Sequence, residues 1–89
     1  MITPISFESS YKVKTKRHNV QVQKQFWKFR DFADSVVRTE DGCQAAYAFE
    51  AEKRYPYFDK GYIELSVPDE LDAMVENYCN YHNIKYKKS

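Results

Sequence analysis

The chain of 89 residues is poor in the residues that build turns, staples and membrane spans. It has two glycines, three prolines and two cysteines. Two cysteines exclude a disulfide scaffold. The C-x-x-H of Cys79 and His82 offers two ligands where zinc takes three or four, so no metal site is expected. With Gly42 and Gly61 the only glycines, there is no Walker loop, no glycine-rich phosphate turn and no nucleophile elbow. No apolar run approaches the ~20 residues of a membrane helix. The first residues, Met1 to Ser6, show neither a basic start nor an apolar stretch, so a cytoplasmic, reducing compartment is expected for both thiols. Internal repeats, low-complexity tracts and linkers are also missing.

Leu, Ile, Val and Phe together number 19 of 89 residues, with a net charge of +1. That composition is just above the ~20% at which chains tend toward disorder, so one folded domain spanning 1–89 is expected. A chain this short buries only about 60% of its unfolded surface. Aromatic residues supply much of the apolar material: eight Tyr, six Phe and one Trp. Each buries a large area, which suits a small core short of aliphatics.

The small net charge hides an uneven distribution. Residues 9–30 carry seven basic groups and no acidic one, whereas residues 31–84 carry four basic and twelve acidic. Lys85, Lys87 and Lys88 follow. A chain basic at both ends and acidic between them suggests a polar partner surface.

Periodicity gives the elements. Residues 5–16 alternate, with Tyr11, Val13 and Thr15 on one side and Lys12, Lys14 and Lys16 on the other, the pattern of a half-buried strand. Val20 and Val22 alternate with Gln21 and Gln23, and Arg17-His18-Asn19 could turn the chain, so a hairpin is expected there. The period then changes. Phe26, Phe29, Phe32, Ala33, Val36 and Val37 gather on one side of a helix over residues 25–38, which stops near Gly42. Residues 43–53 and 62–67 read as strands. Pro68 and the acids Asp69, Glu70 and Asp72 open a second helix. Its expected inner stripe is Leu71, Met74, Val75, Tyr78, Tyr81 and His82, with Asn83 at its end. Ile84 to Lys87 alternates as a last strand. The expected fold is α+β in the order ββαββαβ, an antiparallel or mixed sheet with two helices packed on one face.

The main candidate site is basic. Lys12, Lys14 and Lys16 share one side of the first strand, and Lys85 and Lys87 share one side of the last. Arg17, Lys24, Lys28 and Arg30 could extend the patch. Such a face binds polyanions by releasing their counterions. Lysines on a strand also discourage edge pairing, with no ligand involved. A second candidate surface is aromatic: Trp27, on the polar side of the first helix, and Tyr55, Tyr57 and Phe58 beside Arg54 and Lys60. Exposed rings of this kind anchor protein partners or stack on bases. Catalytic residues are not apparent. His18 lies in a basic stretch where it would be solvated, and His82 lies on an apolar stripe.

Two functions follow as expectations. The first is a non-catalytic module that holds RNA or another polyanion through the lysines. The second is a small protein-binding inhibitor, such as a phage-encoded antagonist of a host toxin or defence factor, with RNA able to bridge it to its target. The element order differs from that of the double-stranded-RNA-binding domain. The RNP aromatics and the GxxG loop of other RNA-binding modules are absent. Neither reading calls for a cofactor, a metal or a membrane.

Overall fold

The computed structural model describes residues 8–16, 19–51 and 58–89. Strand β1 (Glu8–Lys14) follows the alternation of its sequence: Ser9, Tyr11 and Val13 are buried, and Lys14 is exposed. Helix α1 (Val20–Thr39) then runs for 20 residues.

The start of α1 corrects the sequence reading, because Val20 to Gln23 is helix and not a second strand. Asn19 is the N-cap, and its side chain accepts a hydrogen bond from the Val22 N–H at 3.0 Å. Alternation put the valines inside, yet Val20 is 52% exposed and Gln23 only 2%. The buried stripe is Gln23, Phe26, Phe29, Ala33 and Val36, which has helical spacing. Gln23 tolerates burial because its Nε2 donates to the Lys16 carbonyl at 3.2 Å. Replacing Asn19 with Ala should cost about 1 kcal/mol in chemical denaturation, the usual worth of such a cap.

At the other end the Glu40 N–H donates to the Val36 carbonyl at 2.9 Å. Gly42, with φ +81°, then turns the chain into β2 (Gln44–Ala51). Strand β3 (Phe58–Pro68) pairs with β2 on one side and β1 on the other. Gly61 in β3 lies under Phe49: a Cβ there would come within 2.9 Å of that ring. A 3-10 turn (Asp69–Leu71) leads into α2 (Asp72–Tyr81), and β4 (Lys87–Lys88) closes the chain against β1.

The strand order is β2-β3-β1-β4, antiparallel throughout. The element order is therefore βαββαβ, not ββαββαβ, and the α+β class stands. α1 joins β1 to β2 across β3, and α2 joins β3 to β4 across β1. These are two interleaved split β-α-β units. Tyr11, Val13, Ile63, Leu65 and Val67 on the sheet share one core with Phe26, Phe29, Ala33 and Val36 of α1 and Val75 and Cys79 of α2. Both helices thus cover the same face. The other face carries Ser10, Lys12, Lys14, Tyr62, Glu64 and Ser66, and no described element lies over it.

The inner stripe of α2 is also corrected. Val75 and Cys79 are its buried residues, whereas Tyr81 is 82% exposed. Leu71, Met74 and Tyr78 pack against the core beside Val75, as their spacing suggested; Tyr81, the last residue of α2, is the one that departs, and Cys79 is the buried residue the stripe left out. Asn83 leaves the helix with φ 57°, as its position suggested. Among the described residues, no helix is long and apolar enough to cross a membrane.

Candidate polyanion-binding face

Lys12 stands at the centre of the open face. Strand pairing puts Glu64 of β3 beside it on one side and Lys87 of β4 on the other. Lys14, two residues on, lies opposite Tyr62. The β1–β4 ladder ends at Lys12 and Lys87, so β1 and the segment before β4 part company there. A groove of about 490 Å³ opens between them and the first turn of α1. Lys12, Lys14, Lys16, Lys85 and Lys87 all line it, and no acidic residue does. Val13, Ile84 and Tyr86 give it an apolar side.

Five of the nine basic residues singled out in the sequence therefore meet at one margin of the sheet. Among the described residues, none of the five forms an ion pair within 4.0 Å. Glu64 bounds the basic zone on the β3 side. Lys24 and Lys28 are exposed on the outer side of α1, on the far side of the sheet from Lys12. Arg30 lies toward the opposite margin, its guanidinium 5.4 Å from the Trp27 ring and 5.8 Å from that of Tyr47 in β2. Arg17, Tyr55, Tyr57 and the side chain of Phe58 lie outside the described residues, as does His18.

Trp27 is half-buried. It meets Phe26 edge-on at 5.2 Å and Phe49 of β2 at 5.8 Å, so it packs on the flank of the core at the β2 margin. A helical wheel puts it on the polar side because it shows only the helix. The wall that Phe49 raises next to it comes from tertiary pairing.

Tyr62 was not among the site residues read from the sequence. The Lys12 ammonium lies 4.5 Å from the centre of its ring. Alternation with the buried Ile63, Leu65 and Val67 turns Tyr62 outward, and its register with Lys14 brings it to the basic margin. A ring flanked by cations on an open sheet can stack on a nucleic-acid base.

Lys88 behaves differently from its neighbours. Its position opposite Tyr11 turns it to the helix side of the sheet. There it bonds Glu76 at 2.8 Å and Asp72 at 3.3 Å. The Tyr11 hydroxyl also donates to Glu76, at 2.9 Å. Ser9 lies 3.0 Å from Asp72 and 3.1 Å from Asp69, and its single proton serves one of them at a time. This clasp holds the last strand to β1 and α2, and so fixes one wall of the groove.

The clasp is sensitive to pH. The Lys88 and Tyr11 hydrogen bonds hold Glu76 below its ordinary value. Burial would raise Asp72, but the hydrogen bonds from Ser9 and Lys88 outweigh it and lower that pKa too. Lys88 is raised, chiefly by its bond to Glu76. Depressed carboxylates stabilise the fold above their unfolded pKa, near 4, and lose that contribution as pH falls through their folded values. A raised lysine stabilises below its unfolded pKa, near 10.4, and loses that contribution as pH rises through its folded value. The stability gap between the native chain and Lys88→Met should therefore be flat from about pH 5 to 10 and close at both ends. Urea titrations across pH test it, and a gap independent of pH would mean that packing of the lysine stem carries the effect.

The core thiol of Cys79 is pushed up to about 12 by burial. It is a packing group at neutral pH. The His82 ring packs on Tyr78 at 4.3 Å and on Tyr81 at 4.9 Å.

No protein-family model, curated protein or solved structure matches this chain.

Proposed function

We propose that this protein is a non-catalytic binding module for RNA or a similar polyanion, held along the β1–β4 margin. The observation that carries the reading is the groove lined by Lys12, Lys14, Lys16, Lys85 and Lys87 without a carboxylate. Five lysines lining one groove attract phosphates by counterion release, with little sequence preference. Tyr62 adds a ring on which one base can stack.

The test is fluorescence anisotropy with a labelled single-stranded RNA. Binding should be seen at low salt, and Tyr62→Ala should weaken it by roughly 5- to 150-fold, the range for losing one stacked base. An affinity indifferent to Tyr62 would leave a purely electrostatic grip. No binding at low salt would end the proposal. A protein partner that survives nuclease treatment and moderate salt would favour the inhibitor function instead.

A further inference from the structure

The two margins of the sheet are built differently. The β4 side is short and crowded with lysines, the usual guard against edge pairing. β2, on the other side, is eight residues long (Gln44–Ala51) and contains no lysine and no proline. Among the described residues it pairs with β3 alone.

Hydrogen-bond parity shows which β2 groups face outward. Ser10 and Ser89 exchange both backbone bonds, at 3.2 and 2.8 Å, so the even residues of β1 face β4. The Thr15 N–H donates to the Gly61 carbonyl at 3.0 Å, so the odd residues of β1 and β3 face each other. Antiparallel alternation then turns the even residues of β3 and β2 toward one another. Ala45 and Tyr47 are left directing their N–H and C=O groups out of the sheet.

We infer that this margin pairs with a second copy of the same chain, β2 against β2, antiparallel about a two-fold axis at Tyr47. The parity permits that centre, because Tyr47 is an outward-facing residue and would exchange both backbone bonds with its counterpart. The strand is self-complementary in this register. Ala46 falls opposite Ala48, Gln44 opposite Glu50, and small Ala45 opposite large Phe49. No like charges meet, and the alanines let the open faces join flush. The product is an eight-stranded sheet whose two open faces lie on the same side. Its two lysine margins are about 33 Å apart, seven strand spacings. The inference is independent of what those lysines bind.

The experiment is sedimentation equilibrium over a concentration series on the full chain, paired with amide hydrogen exchange. The native protein should move from one to two chain masses, and the Ala45 and Tyr47 amides should gain protection as concentration rises. Ala46 and Ala48 are exposed on the open face, so both can be changed without touching the core. Ala46→Lys with Ala48→Lys puts like charges opposite each other twice and should weaken the dimer roughly tenfold or more. Ala46→Lys with Ala48→Glu puts opposite charges there and should restore it. Thermal melts of both variants verify folding. A single chain mass throughout the series would overturn the inference. So would a dimer that ignores the lysine pair, since it would use another surface.

Discussion

Between about 50 and 200 mM salt, the affinity for a single-stranded RNA should fall roughly 100-fold, a log–log slope of about −3.5. The figure follows from five lysines in one groove, each releasing about 0.7 counterion when it neutralises a phosphate of a single strand. Replacing Lys12 and Lys87 with Ala should bring the slope to about −2.1. Replacing Lys24 and Lys28 with Ala is the control. It removes the same net charge from the outer side of α1, across the sheet from the groove, and should leave the slope near its native value. Screening separates the two, since exposed charges lose sight of one another over about 10 Å at 0.1 M salt. Equal losses from the two pairs would show that net charge alone attracts the RNA. A flat salt response would remove the phosphate-binding role of the groove altogether.

The lysines of β1 were legible because period-2 alternation is a local property. Lys12 and Lys14 had to share a face opposite Tyr11 and Val13, and they do. The meeting of Lys12 with Lys87 was not local. It depends on β4 lying beside β1, and that adjacency arises because α2 carries the chain from β3 across β1. A single sequence holds no signal for such pairing. The same limit hid Tyr62, whose outward turn was readable and whose neighbour Lys14 was not.

Val20 to Gln23 shows a different limit. Four residues of alternating Val and Gln fit a strand and the first turn of a helix equally well. What decides is Asn19, whose side chain caps the Val22 N–H, and the Lys16 carbonyl that receives Gln23. A glutamine at the head of the buried stripe made the stripe look as though it began at Phe26. In a chain with few aliphatics, a polar residue satisfied by one backbone acceptor can occupy a core position, and apolar counting then starts a turn too late.

Removing the Phe29 ring should have the largest effect on stability. Phe29 is fully buried in α1, beside Phe32 at 6.1 Å. Phe29→Ala should cost about 3–5 kcal/mol, the sum of lost transfer energy and the cavity left behind. Small domains hold only about 5–15 kcal/mol in total, and each kcal/mol moves the melting temperature by about 4–8 °C at this size. A drop of roughly 12–40 °C is expected, and partial unfolding at 37 °C with it. The informative partner is Tyr81→Ala. The spacing of Met74, Val75 and Tyr78 puts Tyr81 on the inner side of α2, yet Cys79 is buried and Tyr81 is 82% exposed. Its removal should change stability by no more than about 0.5 kcal/mol. Parallel thermal and denaturant melts compare the two substitutions. Equal losses would mean that α2 is rotated, with Tyr81 in the core and Val75 and Cys79 outside it. Glu76, one residue past Val75, would turn with them, and the Lys88 clasp that walls the groove could not form.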